Sequence, residues 1–171
     1  DRDGLIRLDA LREDLRRAGA IGSRGGLFFG FGVHLNIAVA SEEAGAVVRP
    51  LLAYALIEDW LRGDNPIDQT RRVLPFTSAF PTSLVRRLIR LGPDAQLGPV
   101  IDAYVADGAT RNHGLDMLPL LAHLDRSRTA PALTGATSVR PAFHFRLPDS
   151  RIDEAEWSLN HEWRRWRTVE R

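Results

Sequence analysis

Apolar residues recur along the chain first with a helical period and then with a period of two. Leu8, Leu11, Leu15 and Ala18 fall at helical spacing, and Gly19 follows as a stop signal. Gly22, Gly25 and Gly26 then form a turn-rich link. Within 27–40, Phe31, Val33, Leu35, Ile37 and Val39 alternate with Gly32, His34, Asn36 and Ala38. That alternation predicts a strand with one apolar face. Ser41 is the predicted cap of a helix whose main piece starts at Pro50 and carries Leu52, Ala55, Leu56, Trp60 and Leu61, with Gly63 ending it. Residues 64–81, with Pro66, Pro75 and Pro81, read as an ordered loop or broken strand.

Three helices are predicted next: from Thr82 or Ser83 to Leu91, from Ala95 to Ala106, and a shorter one from Gly114 to Leu124. In the second, Leu97, Val100, Ile101, Tyr104 and Val105 form the inner face, and Asp107-Gly108 stops it. Residues 125–138 are small and polar and read as a loop. A second strand is predicted from Val139 to Leu147, with Phe143, Phe145 and Leu147 on one face and Ala142, His144 and Arg146 on the other. Asp153 and Glu156 have capping-box spacing for a last helix bearing Trp157, Trp163 and Trp166, which read as core. No internal repeat or boundary divides the chain, so residues 1–171 are read as one domain.

Composition narrows the chemistry. An apolar fraction of 44% in 171 residues suits a domain with a real core. No apolar run approaches the roughly 18 residues of a membrane span. There is no cysteine, which excludes disulfides, thiolate metal sites and a cysteine nucleophile. All 23 basic residues are arginine, so a Schiff base, a P-loop lysine and a lysine base are also excluded. With a net charge of +1 and no basic stripe interleaved with aromatics, a nucleic-acid protein is the least supported reading. No Gly-x-Gly-x-x-Gly, Walker, His-Glu-x-x-His or Gly-x-Ser-x-Gly motif occurs.

The two strands share a design. Each sets large apolar side chains on one face and a short polar set on the other: His34 with Asn36, and His144 with Arg146. Neutral imidazole is a common ligand for divalent metals, and arginine's planar fork matches phosphate or carboxylate oxygens. A merely solvated face would more commonly carry Thr, Glu or Lys. Gly30 and Gly32 leave room beside His34 for a ligand's close approach. Thr110-Arg111-Asn112 reads either as a helix cap through Asn112 or as an anion site using Arg111. Arg71-Arg72 and Arg86-Arg87 read as solvated or ion-paired surface. His113, His123 and His161 read as structural.

The segments 31–36, 111–119 and 140–149, followed by the tryptophan-bearing helix ending in Val169-Glu170, resemble the putative amidoligase family in order and spacing from about residue 5 onward. The strings are FGVHLN, RNHGLDMLP and RPAFHFRLPD. The resemblance implies an α+β fold like the catalytic domain of glutamine synthetase and glutamate–cysteine ligase: a curved, mainly antiparallel sheet whose concave face binds ATP and Mg2+ or Mn2+. It implies His34 and His144 as metal ligands and Asn36 as a contact to nucleotide or substrate. Arg146 would hold the transferred phosphoryl group or the substrate carboxylate, with Arg111 and Asn112 on the phosphates. The implied reaction joins a small-molecule or peptide carboxylate to an amine through an acyl phosphate. A cytoplasmic setting and a possible homo-oligomer complete the expectation.

One departure stands out. Such enzymes carry a glutamate-x-glutamate strand before the histidine strand, whereas Glu13 and Asp14 here are adjacent on a predicted helix. Either the chain is a C-terminal portion of the catalytic domain, truncated at its N-terminus and with activity alone left open, or this copy is degenerate; truncation is the favoured expectation. Two alternatives stay open: a binding module that kept the fold without catalysis, and a metal-dependent hydrolase using the two histidines with Asp116 or Asp149.

Overall fold

The computed structural model describes residues 2–25, 31–64, 66–68, 71, 77–135 and 137–171. The expected Gly26 link, the strand positions at 27–30, Arg72 and most of the 64–76 loop lie outside them. Among the described residues are seven α-helices and three strands: α1 (Arg2–Arg17), β1 (Leu35–Ala38), α2 (Ala44–Asp64), α3 (Thr82–Leu91), α4 (Leu97–Asp107), β2 (Leu115–Asp116), α5 (Leu118–Leu124), α6 (Arg126–Thr129), β3 (Ala142–Phe145) and α7 (Leu159–Val169). The fold is α+β.

The sheet is antiparallel, in the order β1-β3-β2. Its apolar face is covered by α2 and α7. Phe143 and Phe145 lie 5.2 and 5.5 Å from the Trp166 ring, and Tyr54 meets Phe145 edge-on at 6.2 Å. Leu51, Tyr54, Leu115, Phe145 and Trp166 are all fully buried there. Burying such side chains stabilises by roughly 1.5–3 kcal/mol each, so this face anchors the sheet and leaves the other for polar groups.

The ladder outruns the named strands. Gly32 bridges Asp149, and Val33 N–H donates to the Pro148 carbonyl at 3.0 Å. Since Leu35 pairs with Phe145, residues 33–34 oppose 146–148, one residue more on the β3 side. This is a β-bulge placed beside His34, and bulges bend a strand and re-aim side chains.

Several expectations change. α2 begins at Ala44 and runs through both Pro50 and Gly63, because Val47 and Val48 bury in the core and hold the turns before the proline. Leu8, Leu11 and Leu15 of α1 are exposed; the helix is tied to α7 by Asp9, which accepts from the Leu159 and Asn160 amides at 2.6 and 3.2 Å. The segment 114–117 is not helix. Leu115 and Asp116 pair with β3, and Pro119 stands in the first turn of α5, where a missing N–H is harmless. The 125–138 stretch contains α6, started by Asp125, whose Oδ1 accepts from the Arg128 amide at 3.0 Å. Ser158, not an Asp153–Glu156 box, caps α7, its hydroxyl accepting from the His161 amide at 3.1 Å. Neither Thr82 nor Ser83 caps α3, which Pro81 precedes with no side-chain cap. No helix among the described residues is long and apolar enough to cross a membrane.

Candidate active site

On the sheet's polar face, cross-strand pairing makes two rows. Asn36 on β1, His144 on β3 and Asp116 on β2 are direct partners. Two residues along, His34 and Arg146 follow by the period of two. The imidazoles of His34 and His144 converge, their centroids 5.0 Å apart and their planes perpendicular. His144 is 6% exposed, while His34 keeps an open side to solvent.

Arginines surround the pair. Arg146 donates from Nη1 to the Arg111 carbonyl, joining β3 to the 110–112 turn. Arg111 Nε lies 3.4 Å from Asp116 Oδ2, and Asp116 Oδ1 accepts from the Leu118 amide at 3.1 Å. Arg140, just before β3, reaches His144 Nδ1 at 2.9 Å; Asn36 Oδ1 is 2.8 Å from the same nitrogen. Asn36 thus serves His144 directly.

Arg71 is a correction. It was expected at the surface and is 1% exposed. Its Nη1 donates to the Leu147 and Pro148 carbonyls at 3.1 and 2.7 Å and to Asp149 Oδ1 at 2.6 Å, and its Nη2 to the Arg146 carbonyl at 2.9 Å. The Arg146 and Leu147 carbonyls at the bulge are therefore satisfied by one guanidinium, which Pro148 shares with the Val33 N–H. A Cβ on Gly32 would sit 2.7 Å from Arg71 Nη2 and 3.3 Å from His34 Nε2, so glycine there lets strand, histidine and arginine close up.

Burial, with this cationic surrounding behind it, keeps both rings neutral. Burial first, then the charges of Arg146, Arg71 and Arg140, push His34 from 6.5 down to about 4. Burial, His34 and the nearby arginines bring His144 to about 3. Burial raises the Asp116 carboxyl against the pull of the Leu118 amide and Arg111. An unfolded chain binds more protons than the folded one between pH 6.5 and the two depressed values. The histidine contribution to stability is therefore present above 6.5 and lost as pH falls toward 4 and then 3. Asp116 acts with the opposite sign: its contribution holds below 3.8 and fades as pH rises through its folded value. The expected result is a thermal midpoint that drops as pH is lowered from about 7 to about 4.5. His144→Gln should flatten that drop; a midpoint that stays level or rises in the wild type contradicts it.

Asn112 lies on the far side of the turn. Its backbone N–H donates to Thr110 Oγ1 at 3.2 Å within the turn, and since the next helix starts only at Leu118, Asn112 is not the helix cap it was expected to be. With Arg111, Leu118 and Thr134 it lines a cavity of about 300 Å³. His113 is buried on Phe80, with Nδ1 3.2 Å from the Ser78 carbonyl, and His123 pairs with Glu42 at 2.7 Å on the surface. Trp157 and Trp166 are core, as their spacing suggested.

As an ion site, this face holds the guanidiniums of Arg111, Arg140 and Arg146 against the Asp116 carboxylate, while Arg71 beneath it is already spent on Asp149 and backbone carbonyls. No group of three or more His, Asp or Glu that could hold a metal gathers among the described residues. The two neutral imidazoles supply two nitrogen donors, so a metal is fitted here only if it brings further oxygen ligands with it. A polyanion is fitted directly. Asp149 is spent on Arg71 and the Asp68 amide, and Asp116 on Arg111 and Leu118, which removes the acids a histidine-based hydrolase would need.

A family model described as putative amidoligase enzyme matches residues 2–168. No curated protein and no solved structure matches the chain.

Proposed function

The chain belongs to the putative amidoligase family, and from that premise we propose that its polar sheet face is the phosphate-binding part of an ATP-dependent carboxylate–amine ligase. The observation that carries the reading is the convergence of two neutral imidazoles, 5.0 Å apart, inside a ring of arginines. Such a face is complementary to a nucleotide's phosphates and to a substrate carboxylate.

In the proposed reaction, a carboxylate oxygen attacks the γ-phosphorus of ATP, the bond to the β-phosphate oxygen breaks, and ADP leaves. The amine nitrogen then attacks the acyl carbon. The C–O bond to phosphate breaks, its electron pair departs with the phosphate, and the amine's proton follows to phosphate or solvent. Arg146 and Arg111 offset the charge on the transferred oxygens. The chain needs no nucleophile of its own, in keeping with a sequence without cysteine or lysine. A divalent ion, Mg2+ or Mn2+, would supply Lewis-acid polarisation of those oxygens when bound. His34 and His144 would hold it, with the remaining ligands from phosphate and water. The glutamine synthetase-like sheet, a cytoplasmic setting and small-molecule or peptide substrates belong to the same proposal.

Hydroxylamine tests it, because it intercepts acyl phosphates. The protein incubated with ATP, Mg2+ or Mn2+ and a pool of carboxylates should release ADP and form a hydroxamate, both dependent on Arg146. ATP binding with no hydroxamate from any carboxylate would favour the non-catalytic binding module, which the lack of a three-ligand acidic cluster among the described residues also supports.

A further inference from the structure

One nitrogen on the site has two suitors. His144 Nδ1 is 2.8 Å from Asn36 Oδ1 and 2.9 Å from Arg140 Nη2. A guanidinium only donates, and an amide oxygen only accepts. Bonding to Arg140 requires a lone pair on Nδ1 and puts the ring proton on Nε2. Bonding to Asn36 Oδ1 requires the proton on Nδ1 and leaves the lone pair on Nε2. The two contacts demand different tautomers of one neutral ring.

The charged donor wins in the ligand-free protein. Charge-assisted hydrogen bonds are about twice as strong as neutral ones. Asn36 loses little, since it is exposed and its amide oxygen turns to water while the ring proton sits on Nε2. Arg140 is lightly held otherwise: Nη1 donates to the Ser138 carbonyl at 3.1 Å, and its Nε is buried without a partner. It is thus an anion-seeking group at the edge of the phosphate face.

We propose that Arg140 is a positioning residue that selects the tautomer of His144. Engaged with Nδ1, it makes Nε2 a hydrogen-bond donor. Drawn off by a phosphoryl or carboxylate oxygen, it frees Nδ1, whose proton then bonds Asn36, and Nε2 presents its lone pair. The ring remains neutral: one proton leaves Nε2 for solvent and one arrives at Nδ1. The inference rests on the reading of this face as an anion site and adds an order to it. The anion comes first, and only then does His144 become a nitrogen ligand.

The test is nitrogen NMR of the full chain labelled with 15N-histidine, with His144 assigned by His144→Gln and inorganic phosphate as the probe. Without phosphate, His144 should show a pyridine-type Nδ1 and a pyrrole-type Nε2; saturating phosphate should exchange the two signatures. Arg140→Met should show the exchanged pattern without phosphate and ignore its addition. Arg140→Lys, which keeps a donor, should behave as the wild type. Asn36→Asp offers a stronger acceptor and should pull the ring to the Nδ1–H form unaided, an arm that does not depend on removing Arg140. An Arg140→Met protein with the wild-type tautomer overturns the proposal. So does phosphate that binds, as read from the Arg146 side-chain signal of a second sample labelled with 15N-arginine, yet leaves the tautomer unmoved; that result sinks this inference alone. Phosphate that never binds this face sinks the anion reading with it.

Discussion

Replacing Arg71 with methionine is expected to destabilise the protein by about 3–5 kcal/mol, the range for removing one partner of a buried ion pair. Arg71 and Asp149 side chains are 2% and 5% exposed and meet at 2.6 Å. Without the guanidinium, Asp149 keeps the Asp68 amide named above, at 2.6 Å, as its compensating donor among the described residues. The Arg146 and Leu147 carbonyls of the bulge lose the guanidinium at the same time, while Pro148 keeps the Val33 N–H. Each buried acceptor left unsatisfied adds about 1–3 kcal/mol, although local relaxation lets water recover part of this. Urea unfolding measures the sum. Removing both charges, in Arg71→Met with Asp149→Leu, should recover part of the loss, because the stranded carboxylate is then gone. A single-variant change under about 1 kcal/mol would mean that Arg71 is solvated in solution.

Arg146→Gln should lower the rate of ATP-dependent hydroxamate formation by about 10²- to 10³-fold, the effect of losing one preorganised donor to a developing charge. Its stability effect should be smaller, since Arg146 is only partly buried and its backbone N–H still donates to the Gly114 carbonyl at 2.8 Å. Arg86→Gln is the control. Arg86 is exposed on α3, away from the sheet's polar face, and its loss should leave the rate unchanged. Equal losses in both variants would show that the assay reads bulk positive charge and not a site.

The heart of the site was legible because a period of two is unambiguous. His34 with Asn36 and His144 with Arg146 had to share faces, and two strands of matching design pair side by side in the sheet. Asp116 was seen only as an acid of the hydrolase alternative. Its strand is two residues long, and Leu115, Leu118 and Leu121 mimic a helical stripe although Leu115 belongs to the sheet. Arg140 lay within the predicted strand 139–147 and shares the parity of Ala142, His144 and Arg146, but it was not singled out, and the observed strand starts only at Ala142. Arg71 was misread because composition cannot separate one buried arginine from the other 22; its carboxylate partner lies 78 residues away. The α1 leucines gave a correct helix, and their stripe is exposed, since periodicity specifies a stripe but not whether anything packs on it.

The pairing of Asn36 with His144 spans 108 residues, whereas β2 reaches β3 from much closer in sequence. Closing so long a loop carries a larger entropic penalty, and non-local strand pairing is slow. Assembly should therefore begin with the helices and the β2–β3 pair and finish when β1 docks on β3. During synthesis, Leu35 and Ile37 must wait, uncovered, until β3 has left the ribosome. The two imidazoles meet only at that last step, so partly made chains cannot possess the paired site, and delayed docking of β1 is the stage most exposed to aggregation.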